Sequence, residues 1–226
     1  MTISRCSLLV GALLASASPA RAVPGPANLR LAAKAALGDL EIRQENVPSP
    51  GETTVIKADR VLELPFGSAL ITTVTIDNGS HAEAAALGIY YLKRVGNRYV
   101  VIKRWPKAVE GGGFGFPPDW TVTTRFTRFP AIHATSGWTG QGYTCGWSIL
   151  SELTPSGPIE SDTIFTSKSN RGVGFGKLDE TNGRITNIRK ANSFDVVATG
   201  TSQFVEHYRF RKGQFVRLEK ETRLQC

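Results

Sequence analysis

Glu110 and Asp119 flank the segment Gly111-Gly112-Gly113-Phe114-Gly115-Phe116-Pro117-Pro118. Two carboxylates at the ends of one loop can converge on a glycosidic bond, one as acid and the other as nucleophile or base. Loop acids are also ordinary solvated residues, and no third group accompanies this pair. Hydrolysis of an envelope polysaccharide through Glu110 and Asp119 therefore stands as the alternative function. Cys145 lies in Gln141-Gly142-Tyr143-Thr144-Cys145-Gly146-Trp147. A thiol nucleophile needs a base and an oxyanion donor, and only the distant His207 and the nearby Gln141 offer themselves. A structural role explains Cys145 with fewer assumptions. The histidines His81, His133 and His207 have no zinc-ligand spacing, and no D-x-D-x-D-G calcium loop is present. The glycine run lacks a P-loop lysine, and two prolines follow it where a phosphate-binding helix would have to start. No metal site and no cofactor are expected.

The stronger pattern is aromatic. All four tryptophans, and eight of the 23 glycines, fall between Trp105 and Trp147. Glycine lets the backbone take a positive φ and approach another surface closely. Aromatic rings supply contact area at low entropic cost. Together they suit stacking on a sugar ring or anchoring a partner protein, although the same residues also fill bulges and tight corners. The expected ligand-contacting residues are Phe116, Trp120, Trp138, Gln141 and Tyr143, with the rings of Phe116, Trp138 and Tyr143 exposed at one end of the fold.

The elements that must position these groups read as strands. Val61–Leu64 and Ala69–Ile76 are rich in β-branched residues. Asp77-Asn78-Gly79-Ser80 is a turn signal. Ala82–Ala86 reads as a helix start, followed by the clearest hairpin, Ile89–Val95 and Arg98–Trp105 around Gly96-Asn97. Further strands are expected at 121–126, 132–135, 143–150, 159–166, 184–188 and 194–199. A C-terminal hairpin joins Phe204–Phe210 to Phe215–Leu218 through Arg211-Lys212-Gly213-Gln214. The segments 110–120 and 136–147 read as loops. This punctuation predicts an all-β chain, a single antiparallel sandwich or barrel-like domain over residues 53–226. Residues 23–52 form a leader, with a short helix over Leu29–Leu40, N-capped by Asn28, before the breaker Asn46–Gly51.

Residues 1–22 read as a cleaved signal peptide. Arg5 supplies the basic start, Cys6–Ala17 an apolar run too short to span a bilayer, and Ala20-Arg21-Ala22 the small-residue cleavage site. Cys6 has no convincing lipobox around it. The mature chain is expected to begin at Val23, in the periplasm or outside the cell. Cleavage removes Arg5 and Arg21 and no acid, leaving 25 basic against 19 acidic residues, a charge of +6 on 204 residues. That balance favours anionic partners. Dispersed basic residues without a recognised motif argue against nucleic acid, and no later apolar stretch reaches membrane-spanning length. Cys145 and Cys226 are the two mature cysteines, and in an oxidising compartment they are expected to form a disulfide. The leading expectation is an exported, non-enzymatic binding module for an envelope protein or glycan. A structural accessory protein is the second alternative.

Overall fold

Side-chain alternation and tight turns build an all-β molecule with one N-terminal helix. The computed structural model describes residues 26–45, 51–80 and 83–224. The first sheet consists of β1 (Glu41–Glu45), β2 (Thr53–Leu64), β3 (Gly67–Asp77), β4 (Ala85–Val95) and β5 (Arg98–Gly111), antiparallel and in chain order. The second contains β6 (Asp119–Thr123), β7 (Ala131–Gly140), β8 (Tyr143–Thr154), β9 (Gly157–Glu160), β10 (Ile164–Ser169), β11 (Glu180–Arg189), β12 (Ser193–Gly200), β13 (Phe204–Arg211) and β14 (Gln214–Arg217). Its order is β14-β13-β12-β11-β10-β8-β7-β6. The long β8 pairs β10 through its first half and β9 through its second.

The predicted hairpins form. Val95 pairs Arg98 around Gly96-Asn97, with Gly96 at φ 60°. Arg211 pairs Gln214 around Lys212 and Gly213 at φ 50° and 93°, the positive pair that matches strand twist.

Both faces of the first sheet are covered. Leu62, Ile71, Leu87, Ile89, Tyr91 and Val109 pack with Ile132, Ala134 and Leu153 of the second sheet. On the opposite face lies helix α1 (Pro26–Ala36), whose Ala32 and Ala33 are fully buried against Ala58, Leu70, Tyr90 and Tyr99. Small alanines let the helix approach the strands closely. The double cover explains β4, where Ala85–Leu92 are buried without alternation. It also corrects the helix expected at 82–86. An apolar run does not by itself distinguish a helix from a strand buried on both faces, and Ala85 and Ala86 belong to β4; Ala82 lies outside the described residues. The helix itself starts earlier than expected, at Pro26, so Asn28 sits inside it and is not its N-cap. Proline suits a first turn because the N–H it lacks has no helical partner there. The helix ends where Gly38 takes φ 89° and its N–H reaches the Ala33 carbonyl.

The second sheet curls around its own core. Phe126, Leu150, Ile164, Phe194, Val196, Tyr208, Phe215 and Leu224 fill the concavity. The Asp162 N–H donates to the Phe215 carbonyl and the Arg217 N–H to the Asp162 carboxylate, tying β14 back to the β9–β10 connection.

His133 belongs to this interior. Its ring lies 6.1 Å from that of Phe126, and its buried Nε2 has no hydrogen-bond partner among the described residues. Burial holds its pKa below the ordinary 6.5. The neutral ring therefore contributes stability above the unfolded value of 6.5, and this is lost as pH falls from there through the folded value. Glu152 acts in the opposite sense at lower pH. Burial raises its carboxyl above 4.5 even though it accepts the Phe129 N–H. The melting temperature should fall between pH ~7.5 and ~5, and His133→Leu should flatten that slope. An identical slope in the variant would show that His133 does not set it.

Candidate functional site

The segment joining β5 to β6 is a strapped turn. The Gly112 N–H donates to Ser136 Oγ at 2.7 Å. The Gly115 N–H donates to the Glu83 carbonyl, and the Ile76 N–H donates to the Gly115 carbonyl. Two glycines are required here. At Gly112 (φ 79°) a Cβ would lie 1.9 Å from the Phe116 carbonyl oxygen, and at Gly115 (φ 73°) 2.2 Å from that of Ile76. With the backbone pinned so closely, the two phenyl rings are left outside. Phe114 is 57% and Phe116 64% exposed.

Residues 136–147 are a β-hairpin, not the loop expected from their glycine content. Ser136 pairs Trp147, Trp138 pairs Cys145, and Gly140 pairs Tyr143 around Gln141-Gly142. Residues directly opposite share a face, so Ser136, Trp138, Tyr143, Cys145 and Trp147 lie on one side. Trp138 lies across Gly140, where an added Cβ would meet its ring at 2.3 Å. Trp138 and Tyr143 remain 38% and 43% exposed, whereas Cys145 is buried. The tip carries the exposed Gln141 at φ 52° and Gly142 at φ 83°. It is braced by the 3-10 turn Arg171–Val173, since a Cβ on Gly142 would sit 2.4 Å from the Val173 nitrogen.

The strapped turn and β7 enclose an open groove of about 450 Å³, lined by Gly112–Gly113, Phe114, Phe116–Asp119 and Thr135–Gly137. Phe116 thus lies beside the base of the hairpin that carries Trp138, Gln141 and Tyr143. Trp120 stands apart. It turns toward the first sheet and packs on its core, with the Arg60 guanidinium 4.8 Å above the ring. Composition also missed Phe175, which is 82% exposed between Gly174 and Gly176. The legible signal was a second Gly-Phe-Gly, echoing Gly113-Phe114-Gly115.

The carboxylates Glu110 and Asp119 border different cavities. Asp119 opens β6 opposite Thr135 at the large groove. Glu110 pairs Ala86 and borders an 80 Å³ hollow with Lys107 and Thr54. Although Glu160 keeps solvent contact, desolvation and then the Glu110 charge raise its carboxyl above the ordinary value. His207 Nδ1 lies 2.8 Å from Glu219 Oε1 on the outer surface of β13. His81 and Cys226 lie outside the described residues, as does the whole segment 1–22. No cluster of three metal-ligating side chains occurs among the described residues, and no described helix is long and apolar enough to cross a membrane. No protein-family model, curated protein or solved structure is similar enough to this chain to count as a match.

Proposed function

We propose that this chain is exported to the cell envelope and acts there as a non-enzymatic binding module, holding a protein or glycan partner at the groove end of the second sheet. One observation carries the reading. Phe114, Phe116, Trp138 and Tyr143 stay exposed on backbone that is hydrogen-bonded and braced. Rigid, exposed rings lose little entropy on contact and form the anchors of interaction surfaces. Immobilised protein should retain an envelope component that Phe116→Ser combined with Trp138→Ser releases. Equal retention by this double variant would contradict the assignment.

Export agrees with a Cys145–Cys226 disulfide, the second part of the proposal. Leu224 is buried against β11 at Gly183. Asn182, next to Gly183, pairs Ser167, which pairs Gly146, the neighbour of Cys145. Two strand spacings of roughly 4.8 Å separate Gly183 from Cys145's strand. In the chain-entropy treatment such a bridge contributes roughly 4–5 kcal/mol. The intact mass of the secreted product checks both features. It should begin at Val23 and gain two hydrogens on reduction under denaturing conditions. An uncleaved chain, or a mass unchanged by reduction, would contradict them.

A further inference from the structure

Among the described residues, the outer edges of β1, β5 and β14 are protected. β1 exposes Glu41, Arg43 and Glu45, with Arg43 tied to Asp77. β5 carries Lys103, Pro106 and Lys107, and Lys103 Nζ donates to the carbonyls of Pro155 and Ser156. On β14 the Arg217 N–H is taken by Asp162. Charge, proline and capping are the usual devices against unwanted strand pairing. The distal half of β7, Ser136-Gly137-Trp138-Thr139-Gly140, has none of them. Its neighbour β6 stops at the Asp119–Thr135 pair, preceded by Pro117 and Pro118, which have no N–H to donate, so no strand pairs with that lane beyond Thr135.

Peptide orientation follows from the hairpin. A two-residue turn closes on a hydrogen-bonded pair, here Gly140–Tyr143. Alternation makes Trp138–Cys145 and Ser136–Trp147 bonded pairs as well. The N–H and C=O groups of Gly137 and Thr139 therefore point away from β8, into the vacant lane. Among the described residues no backbone hydrogen bond outside the strand ladders involves either residue. The lane opens beside the 450 Å³ groove, whose apolar wall is Phe114, Phe116 and Pro117 and whose single ionisable lining residue among the described residues is Asp119.

We infer that the distal edge of β7 binds an extended polypeptide segment of a partner protein by β-strand addition, with Gly137 and Thr139 supplying the main-chain hydrogen bonds. Two outward peptide units at strand spacing match a polypeptide backbone. The Phe114–Phe116 wall takes an apolar side chain of the incoming strand, and Asp119 takes a lysine or arginine at one end. This inference rests on the binding-module reading and narrows it to one partner chemistry.

A phage-displayed library of random linear dodecapeptides, panned on the purified protein, tests it, with the best peptide then synthesised. Enriched peptides should combine a basic residue with β-branched or aromatic ones. Bound peptide should slow amide hydrogen exchange at Gly137 and Thr139 by about tenfold or more. Thr139→Pro removes one outward N–H without touching the β7–β8 ladder, and proline is tolerated on edges. It should weaken peptide binding by about tenfold, the loss expected for one main-chain hydrogen bond. Thr139→Ala, which keeps the N–H and removes only the Thr139–Thr144 hydroxyl contact, should bind as wild type. The exchange measurement needs no variant, so it stands even if Thr139→Pro misfolds. No enriched peptide, or unchanged exchange at Gly137 and Thr139 with peptide bound, overturns the inference. Equal binding by folded Thr139→Pro and by Thr139→Ala overturns edge pairing, and if Phe116→Ala still abolishes binding, the groove remains the site. Protection of the two amides that grows with the protein's own concentration would identify a second copy as the occupant and also overturn it.

Discussion

Trp138→Ala should weaken binding of the envelope partner by about 2 kcal/mol, roughly thirtyfold, and leave the fold intact. The indole is large, part-exposed and held in place across Gly140 on a hairpin whose tip is braced by the 3-10 turn. It belongs to none of the three hydrophobic clusters. Truncation therefore removes contact area for a partner while leaving the cores filled. Titration calorimetry with the captured partner reads the affinity, and a thermal melt reads the fold. Loss of cooperative melting together with loss of binding would show that Trp138 is part of the core.

Phe194→Ala should lower stability by about 3–5 kcal/mol, the cost of emptying a well-packed aromatic site. Phe194 is fully buried on β12. Its ring stacks on Tyr208 at 4.7 Å, meets Phe126 edge-on at 5.5 Å and lies 5.0 Å from Phe215. It therefore joins three separate parts of the second sheet's curl. For a chain of this size the loss corresponds to roughly 10 °C in melting temperature. Chemical denaturation should show the smaller midpoint. A change below about 1 kcal/mol would mean that the cavity collapses at little cost and that this ring is not central to the curl.

The contrast between these two aromatics shows what local sequence carries here. Phe194 sits in Ser193-Phe194-Asp195-Val196, where alternation marks an inward ring. Gly96-Asn97 and Lys212-Gly213 announced their hairpins, because primed turns need residues that accept positive φ. Gln141-Gly142 makes the same kind of turn as Lys212-Gly213, with Gln141 at φ 52°, but glycines on both sides of it made the hairpin read as a loop. Trp120 and Trp138 are alike as residues. One faces the first sheet beneath Arg60 and the other lies beyond it, a difference decided by where β5 ends against β7. That depends on contacts distant in sequence, as do the division into two sheets and the helical cover that buries all of Ala85–Leu92. Phe114 and Phe116 were legible as loop aromatics. The groove beside them was not, because it arises where β6 stops short of β7's end.

Site-specific photo-crosslinking tests the central claim most directly. Benzoylphenylalanine placed at Phe116, at Tyr143 and at Val205 probes two groove-end positions and one exposed position on β13, four strands across the sheet from Tyr143's β8. Irradiation in intact envelope should yield the same discrete adduct from positions 116 and 143, and none from 205. Adducts from 205 alone, equal labelling at all three, or no adduct at 116 and 143 would contradict a binding surface at the groove end.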